Sequence, residues 1–207
     1  DLSIGVTNSK DSPYGSFSDY TLLNPYWKPY DDNGNLIKIF DDNIEFYDGF
    51  SRLPKNPLYN ETLNTRSEDK YTQIINNFSI EWRPFDGFIA RGSVGISSQS
   101  SEADDYKPAT HTDFEAERYQ TTEGMFKKGS YYYNSGKNFN YNLALNLSYS
   151  KILADRHWVY AGFNMDVDSR KSRNYRFGAE GFLDESLDFM GSALQYVEGG
   201  KPSGSEA

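Results

Sequence analysis

Carboxylates are the side chains of this sequence best placed to do chemistry. They gather at Glu102, Asp104 and Asp105, at Glu115 and Glu117, and at Asp184, Glu185 and Asp188. A glycosidase needs two carboxyls set across a sugar ring. Clusters of this kind in polar stretches read first as solvated loop charge, so no catalytic residue is assigned and an enzyme is not expected. His111 and His157, the only histidines, stand 46 positions apart with no ligand pattern beside either. Neither a zinc site nor a catalytic triad follows from them. With no cysteine there is no thiolate nucleophile and no disulfide frame.

Two other groupings invite a ligand. Asp31, Asn33, Asn35 and Asp42 fall at the spacings of a calcium-binding loop, but Leu36 stands where that loop needs glycine and Asp42 where it needs a bidentate glutamate. A turn at Asn33-Gly34 is expected instead, with no metal and no cofactor. Tyr131, Tyr132 and Tyr133, and Tyr26, Trp27 and Tyr30, offer flat apolar faces that could stack on sugars. The competing expectation is that they pack loops or sit at an interface, and the substrate-binding residues stay unassigned.

The elements that must position these groups are strands. Phe139, Tyr141, Leu143, Leu145, Leu147 and Tyr149 share one parity, while Asn140, Asn142, Ala144, Asn146, Ser148 and Ser150 take the other. A two-residue period makes a strand with one apolar and one polar face. Beyond a polar turn, Val159, Ala161, Phe163, Met165 and Val167 alternate with Gly162, Asn164, Asp166 and Asp168, completing a long antiparallel hairpin. A second hairpin sets Phe78, Ile80 and Trp82 beside Phe88, Ala90, Gly92, Val94 and Ile96, across a turn containing Pro84 and Gly87. Strands are predicted near 1–8, 73–82, 88–97, 139–150, 158–168 and 172–178, with long loops at 9–70, 98–138 and 179–207.

Either of two partners could cover the apolar rows. A second sheet would make a soluble β-sandwich, a carbohydrate-binding module whose aromatics form an exposed platform. Lipid would make a barrel wall. Aromatics bracket the row: Phe139 and Tyr141 at one end, Tyr149 at the other, Trp158 and Tyr160 beyond the turn. About nine residues tilted near 45° rise on the order of 21 Å, the height of an outer-membrane apolar band with its aromatic girdles. Short turns at one end and long excursions at the other suit a barrel better than a small sandwich.

Composition sets outer bounds. The 207 residues carry a net charge of −9, and 16% of them are aromatic; the mean hydropathy is −0.77. That charge argues against nucleic acid as a partner, which demands a basic surface. No run of apolar residues is long enough for a spanning helix, a test that barrel strands escape. Asp1 is followed by no leader pattern, and residues 179–207 carry no evident closing strand, so the sequence reads as part of a larger chain.

Several blocks resemble one family. Ser12-Pro13-Tyr14-Gly15-Ser16-Phe17-Ser18-Asp19-Tyr20, then Leu23-Asn24-Pro25-Tyr26-Trp27-Lys28-Pro29-Tyr30 followed by Asp32-Asn33-Gly34-Asn35, and Asn56-Pro57-Leu58-Tyr59-Asn60, look like the SusC/RagA family of TonB-dependent outer-membrane transporters. Ala179-Glu180-Gly181-Phe182 with Asp184-Glu185, and Glu198-Gly199-Gly200-Lys201-Pro202-Ser203-Gly204-Ser205, are similar to its barrel segments. The resemblance implies that residues 1–207 are a partial TonB-dependent receptor barrel domain: all-β, an antiparallel up-and-down transmembrane segment of a large barrel with long extracellular loops. It further implies a Gram-negative outer membrane, an oligosaccharide or peptide substrate, a SusD-like surface lipoprotein as lid, and TonB acting through parts of the parent chain outside this stretch. Outer-membrane lipid would surround the wall, and specific ligand residues do not carry over.

Overall fold

The computed structural model describes residues 1–10, 17–21, 23–40, 54–154 and 156–207. Their architecture is one antiparallel sheet. β1 (Leu2–Lys10), β2 (Arg66–Trp82), β3 (Phe88–Lys107), β4 (Ser130–Leu153) and β5 (His157–Phe182) pair in sequence order, each with the next. Two short strands, β6 (Ala193–Tyr196) and β7 (Ser203–Glu206), both pair with β5. The helices are short: α1 (Phe17–Thr21), α2 (Pro57–Glu61) and several 3₁₀ turns. None of the described helices is long and apolar enough to cross a membrane.

The register joins the apolar rows across strands. Phe78 faces Val94, Val94 faces Leu143, and Leu143 faces Val167. Asn77, Gly95, Asn142 and Asp168 form the matching polar row. Every strand therefore agrees on which face is apolar, as the period demands. Two tight turns close the hairpins at one end. Gly87 supplies a φ of 85°, and its carbonyl accepts the Ser150 amide at 2.8 Å, tying the β2–β3 turn to β4.

Three expectations need correction. The strands run well past the predicted ends: β3 reaches Lys107 and β4 begins at Ser130, so the expected loop at 98–138 shrinks to 108–129. The predicted strand at 172–178 is not separate but the upper part of β5, and residues 179–207 contain β6 and β7 instead of loop alone. Residues 9–70 likewise yield their ends to β1 and β2 and hold α2 between. Outward side chains there turn polar while the backbone ladder continues, which erases the alternation that marks a strand.

Trp158 and Tyr160 are the third case. They stack on each other at 6.0 Å, but Tyr160 pairs with Ser150 and so shares the polar parity of Ser148 and Asn146. They do not bracket the apolar row. The aromatic edge beside the turns is made by Trp82, Phe85, Phe88 and Tyr149, with Phe85 stacked on Phe88 at 5.1 Å and edge-on to Tyr149 at 6.3 Å.

Candidate functional site

Burial along this sheet is inverted relative to a soluble domain. Phe78 is 62% exposed, Ile80 59% and Phe163 53%, and Leu143 and Leu145 are exposed as well. No second sheet covers them among the described residues. The troughs of the sheet open on the other side, lined by Asn77, Ser97, Asn140, Asn142, Asp168 and Arg170 and further along by Asn134, Asn174 and Arg176. Concave and polar, convex and apolar is the arrangement of a barrel wall around water, with lipid outside. The second sheet that a sandwich module requires beneath Leu143, Leu145 and Leu147 does not occur among the described residues.

The polar face is knit by its own side chains. Asn142 Nδ2 donates to Asp168 Oδ1 at 2.6 Å, and Asn146 donates to Asn164 two pairs lower. Arg91 Nε donates to Glu81 Oε2 at 2.5 Å, and Arg83 joins the same carboxylate at 2.6 Å. Amides and short polar groups fixed in this way leave donors and acceptors facing the trough.

The edges of the apolar band slope across the sheet. Val6, topmost on β1, is level with Lys137 of β4 through Thr72 and Ser100, whereas Val167, topmost on β5, is level with Leu143. That descent of six residues is about 20 Å, over four strand spacings of about 4.8 Å, a slope near 45°. The lower edge runs parallel, from Trp82, level with Leu147, to Val159, level with Lys151. Asn76 and Gly92 interrupt the band, and Phe139 stands about one pair above the upper line. Strands of membrane barrels tilt by about 35–45°, so a flat bilayer would cut this sheet along such a slanted band.

Beyond the band the far ends of the strands build the only hydrophobic core cluster among the described residues. Tyr106 is fully buried and Phe182 is 2% exposed; Tyr131 and Phe177 pack beside them. Arg66 lies over the rings of Tyr106 and Tyr131, each at 5.9 Å. Its Nε donates to Asp104 at 3.1 Å, and its two terminal nitrogens donate to the Asp188 carboxylate and carbonyl at 2.7 and 2.9 Å. Burial, with Asp188 and Glu185 near, pushes the Tyr106 phenol up to about 12. Of the carboxylate clusters, Asp104 and Asp188 thus hold one guanidinium, Glu115 holds Lys38 at 3.0 Å, and Glu185 accepts from Thr110.

A second knot joins three loops. Asn56 caps α2, its Oδ1 accepting from the Leu58 amide at 3.2 Å, while its Nδ2 donates to the carbonyls of Pro29 and Ile37 at 2.9 and 2.8 Å. Asp113 accepts from Lys55 at 2.6 Å and from Lys107 at 2.8 Å. Burial alone would raise the Asp113 carboxyl, but the two ammonium groups hold it well below the usual carboxylate range. His111 is buried and neutral, its pKa pushed down to about 4 by desolvation, and its Nδ1 accepts the Asp113 amide at 3.1 Å. The remaining proton is thereby assigned to Nε2.

The other candidates resolve one by one. Asp31 Oδ1 accepts the amides of Asn33 and Asn35, and Gly34 adopts a φ of 85°, so the expected turn forms; Asp42 lies outside the described residues, as do Ser12 to Ser16 of the first resembling block. Tyr131 and Tyr133 both stack on Phe177, at 5.9 and 5.4 Å, and pack that core; Tyr132 remains exposed. Trp27 stacks on Phe40 at 5.4 Å, leaving Tyr26 and Tyr30 exposed at the rim. His157 begins β5 beside the turn. The loop ties Arg66, Asn56 and Asp113 escaped sequence reading, because each joins segments far apart in the chain.

No family model matches the sequence, and no curated protein matches it. Solved structures do. The chain is 15% identical to one in the structure of the RagAB peptide transporter, with a TM-score of 0.64, covering 100% of this chain and 22% of that one. Chains of the RagAB peptide importer in its open-open and closed-closed states match with TM-scores of 0.58 and 0.56, at 15% and 14% identity and the same coverage. The likeness is one of fold, an antiparallel up-and-down sheet matching a segment of a transporter barrel. This chain spans about a fifth of the length of those it matches.

Proposed function

We propose that this chain is a stretch of wall and rim from an outer-membrane, TonB-dependent nutrient importer of the SusC type. In this reading the convex apolar band faces lipid, and the concave rows of Asn, Ser and Asp line a wet conduit. The loop knots form the outer rim, where a SusD-like lipoprotein would close over an oligosaccharide or peptide. TonB would act through other parts of the parent chain. The observation that carries the reading is the slanted band of exposed apolar side chains on the convex face, which is costly in water and favourable in hydrocarbon. The match to RagAB chains favours peptides over oligosaccharides as the substrate class.

This stretch holds no cysteine, so a parent chain cleared of any others elsewhere carries the test. Leu145→Cys and Asn146→Cys, made separately in the parent chain and probed in isolated outer membranes, should divide between two maleimides. Leu145→Cys should react with a lipid-soluble reagent and resist a membrane-impermeant one, and Asn146→Cys should do the reverse. Equal reaction of both with the water-soluble reagent would remove the membrane wall. Substrate class would be read separately, by native mass spectrometry of what co-purifies with the parent chain.

A further inference from the structure

Two to three pairs above the apolar band the convex face carries a group of cations. Lys137 of β4 sits directly opposite Arg173 of β5, and Lys171 sits one pair lower, opposite Phe139. All three share the parity of Phe139 and Val167, so they leave the sheet on the apolar side. Groups opposite one another across antiparallel strands hold Cβ atoms about 5 Å apart, and like charges so placed repel. Arg173 is ion-paired with Glu206 of β7. Lys137 and Lys171 have neither a hydrogen bond nor an ion pair among the described residues. On the β3 side the same face offers hydroxyls, Ser100 opposite Lys137 and Ser98 opposite Phe139. Its nearest unpaired carboxylate, Glu102, lies one pair higher, facing Lys70.

We propose that Lys137, Lys171 and Arg173 dock the phosphate-bearing headgroup of a glycolipid in the loop-side leaflet, with its acyl chains lying along Tyr141, Leu143 and Val167. The proposal rests on the membrane-wall reading above. Height, charge and donors agree. The cations start two to three pairs above the edge of the apolar band, from which their long side chains reach down to the headgroup layer, and an anion between Lys137 and Arg173 turns a repulsive pair into two attractive ones. Lysine presents a point charge to phosphate and arginine a planar fork. The opposite edge of the band offers no such cluster: there the outward cation is Lys151, facing Val159.

The test uses the full parent chain, purified from membranes in mild detergent and mixed with diphosphoryl lipid A or its dephosphorylated form. Native mass spectrometry reads the lipid retained. Wild type should retain the phosphorylated lipid alone. Lys137→Ala with Lys171→Ala should lower that retention about thirtyfold, about fivefold for each cation near a charged bilayer surface. Lys151→Ala should leave it unchanged. Removing two cations that make no hydrogen bond or ion pair among the described residues does not threaten the fold, and unchanged heat-modifiable gel mobility would verify that. Equal retention by wild type and the double variant, or equal retention of both lipids, overturns the site while leaving the wall intact. A parent chain that stays monodisperse without detergent overturns the wall and the site together.

Discussion

Asn60 and Thr112 exchange hydrogen bonds in both directions: Asn60 Nδ2 donates to Thr112 Oγ1 at 2.9 Å, and the Thr112 amide donates to Asn60 Oδ1 at 3.1 Å. Thr112 is 1% exposed, so water cannot replace a lost partner. Asn60→Ala should therefore cost about 1–3 kcal/mol locally, the penalty of leaving a buried donor and acceptor unmet. Hydrogen exchange of peptides covering 54–65 and 108–116 should accelerate in both segments together. Acceleration in one alone would mean that the pair does not couple them.

Acid should loosen the same knot. The pKa of His111 is depressed from 6.5 to about 4, so the unfolded loop takes up a proton before the folded one does. The stability that neutral His111 provides is complete above about pH 6.5 and is lost as the pH falls toward 4, up to about 3 kcal/mol. Asp113 adds a second loss only below the ordinary carboxylate range, because its folded pKa is lowered. Emission of Trp27, with Trp82, Trp158 and every tryptophan elsewhere in the parent chain replaced by Phe, should shift across pH 6.5 to 4. His111→Asn, which retains a capping acceptor, should flatten that shift.

Gly87→Ala should be among the most damaging small substitutions. A Cβ there would overlap the Ser150 carbonyl oxygen, and the φ of 85° disfavours any L side chain. A cost of about 2 kcal/mol or more is expected, read as loss of the compact, heat-modifiable species on gels. Gly34→Ala has the same sign of φ but open space around it, and should do much less.

Charge placed on the two faces of β4 should separate lipid from water. Leu145→Arg should cost about 2–4 kcal/mol in urea unfolding from liposomes, and Asn146→Arg about 1 kcal/mol or less. Comparable losses at both positions would contradict a membrane-facing band.

Sequence alone reveals the band and little beyond it. From Phe139 to Tyr149 the apolar and polar parities are cleanly separated, and so are strand, face and hairpin. Above the band β3 presents Ser98, Ser100, Glu102 and Asp104 outward, and β4 presents Ser135 and Lys137. Both faces are then polar, the period vanishes from the composition, and the same hydrogen-bonded strand reads as loop. The loop knots were illegible for another reason. Asn56 and Asp113 work through partners that only folding brings near, and no local spacing announces them.

That same overrun of the strands makes the sheet far taller than the layer it is suited to cross. The 24 residues of β4 extend about 80 Å, which at a slope near 45° is about 57 Å of height against an apolar band of about 25 Å. Set in a bilayer as proposed, a wall of those proportions would form a palisade, its upper half standing clear of hydrocarbon. On the proposed reading, anything descending along the polar side would follow a wall of polar side chains about 30 Å tall before it reached the depth of the bilayer.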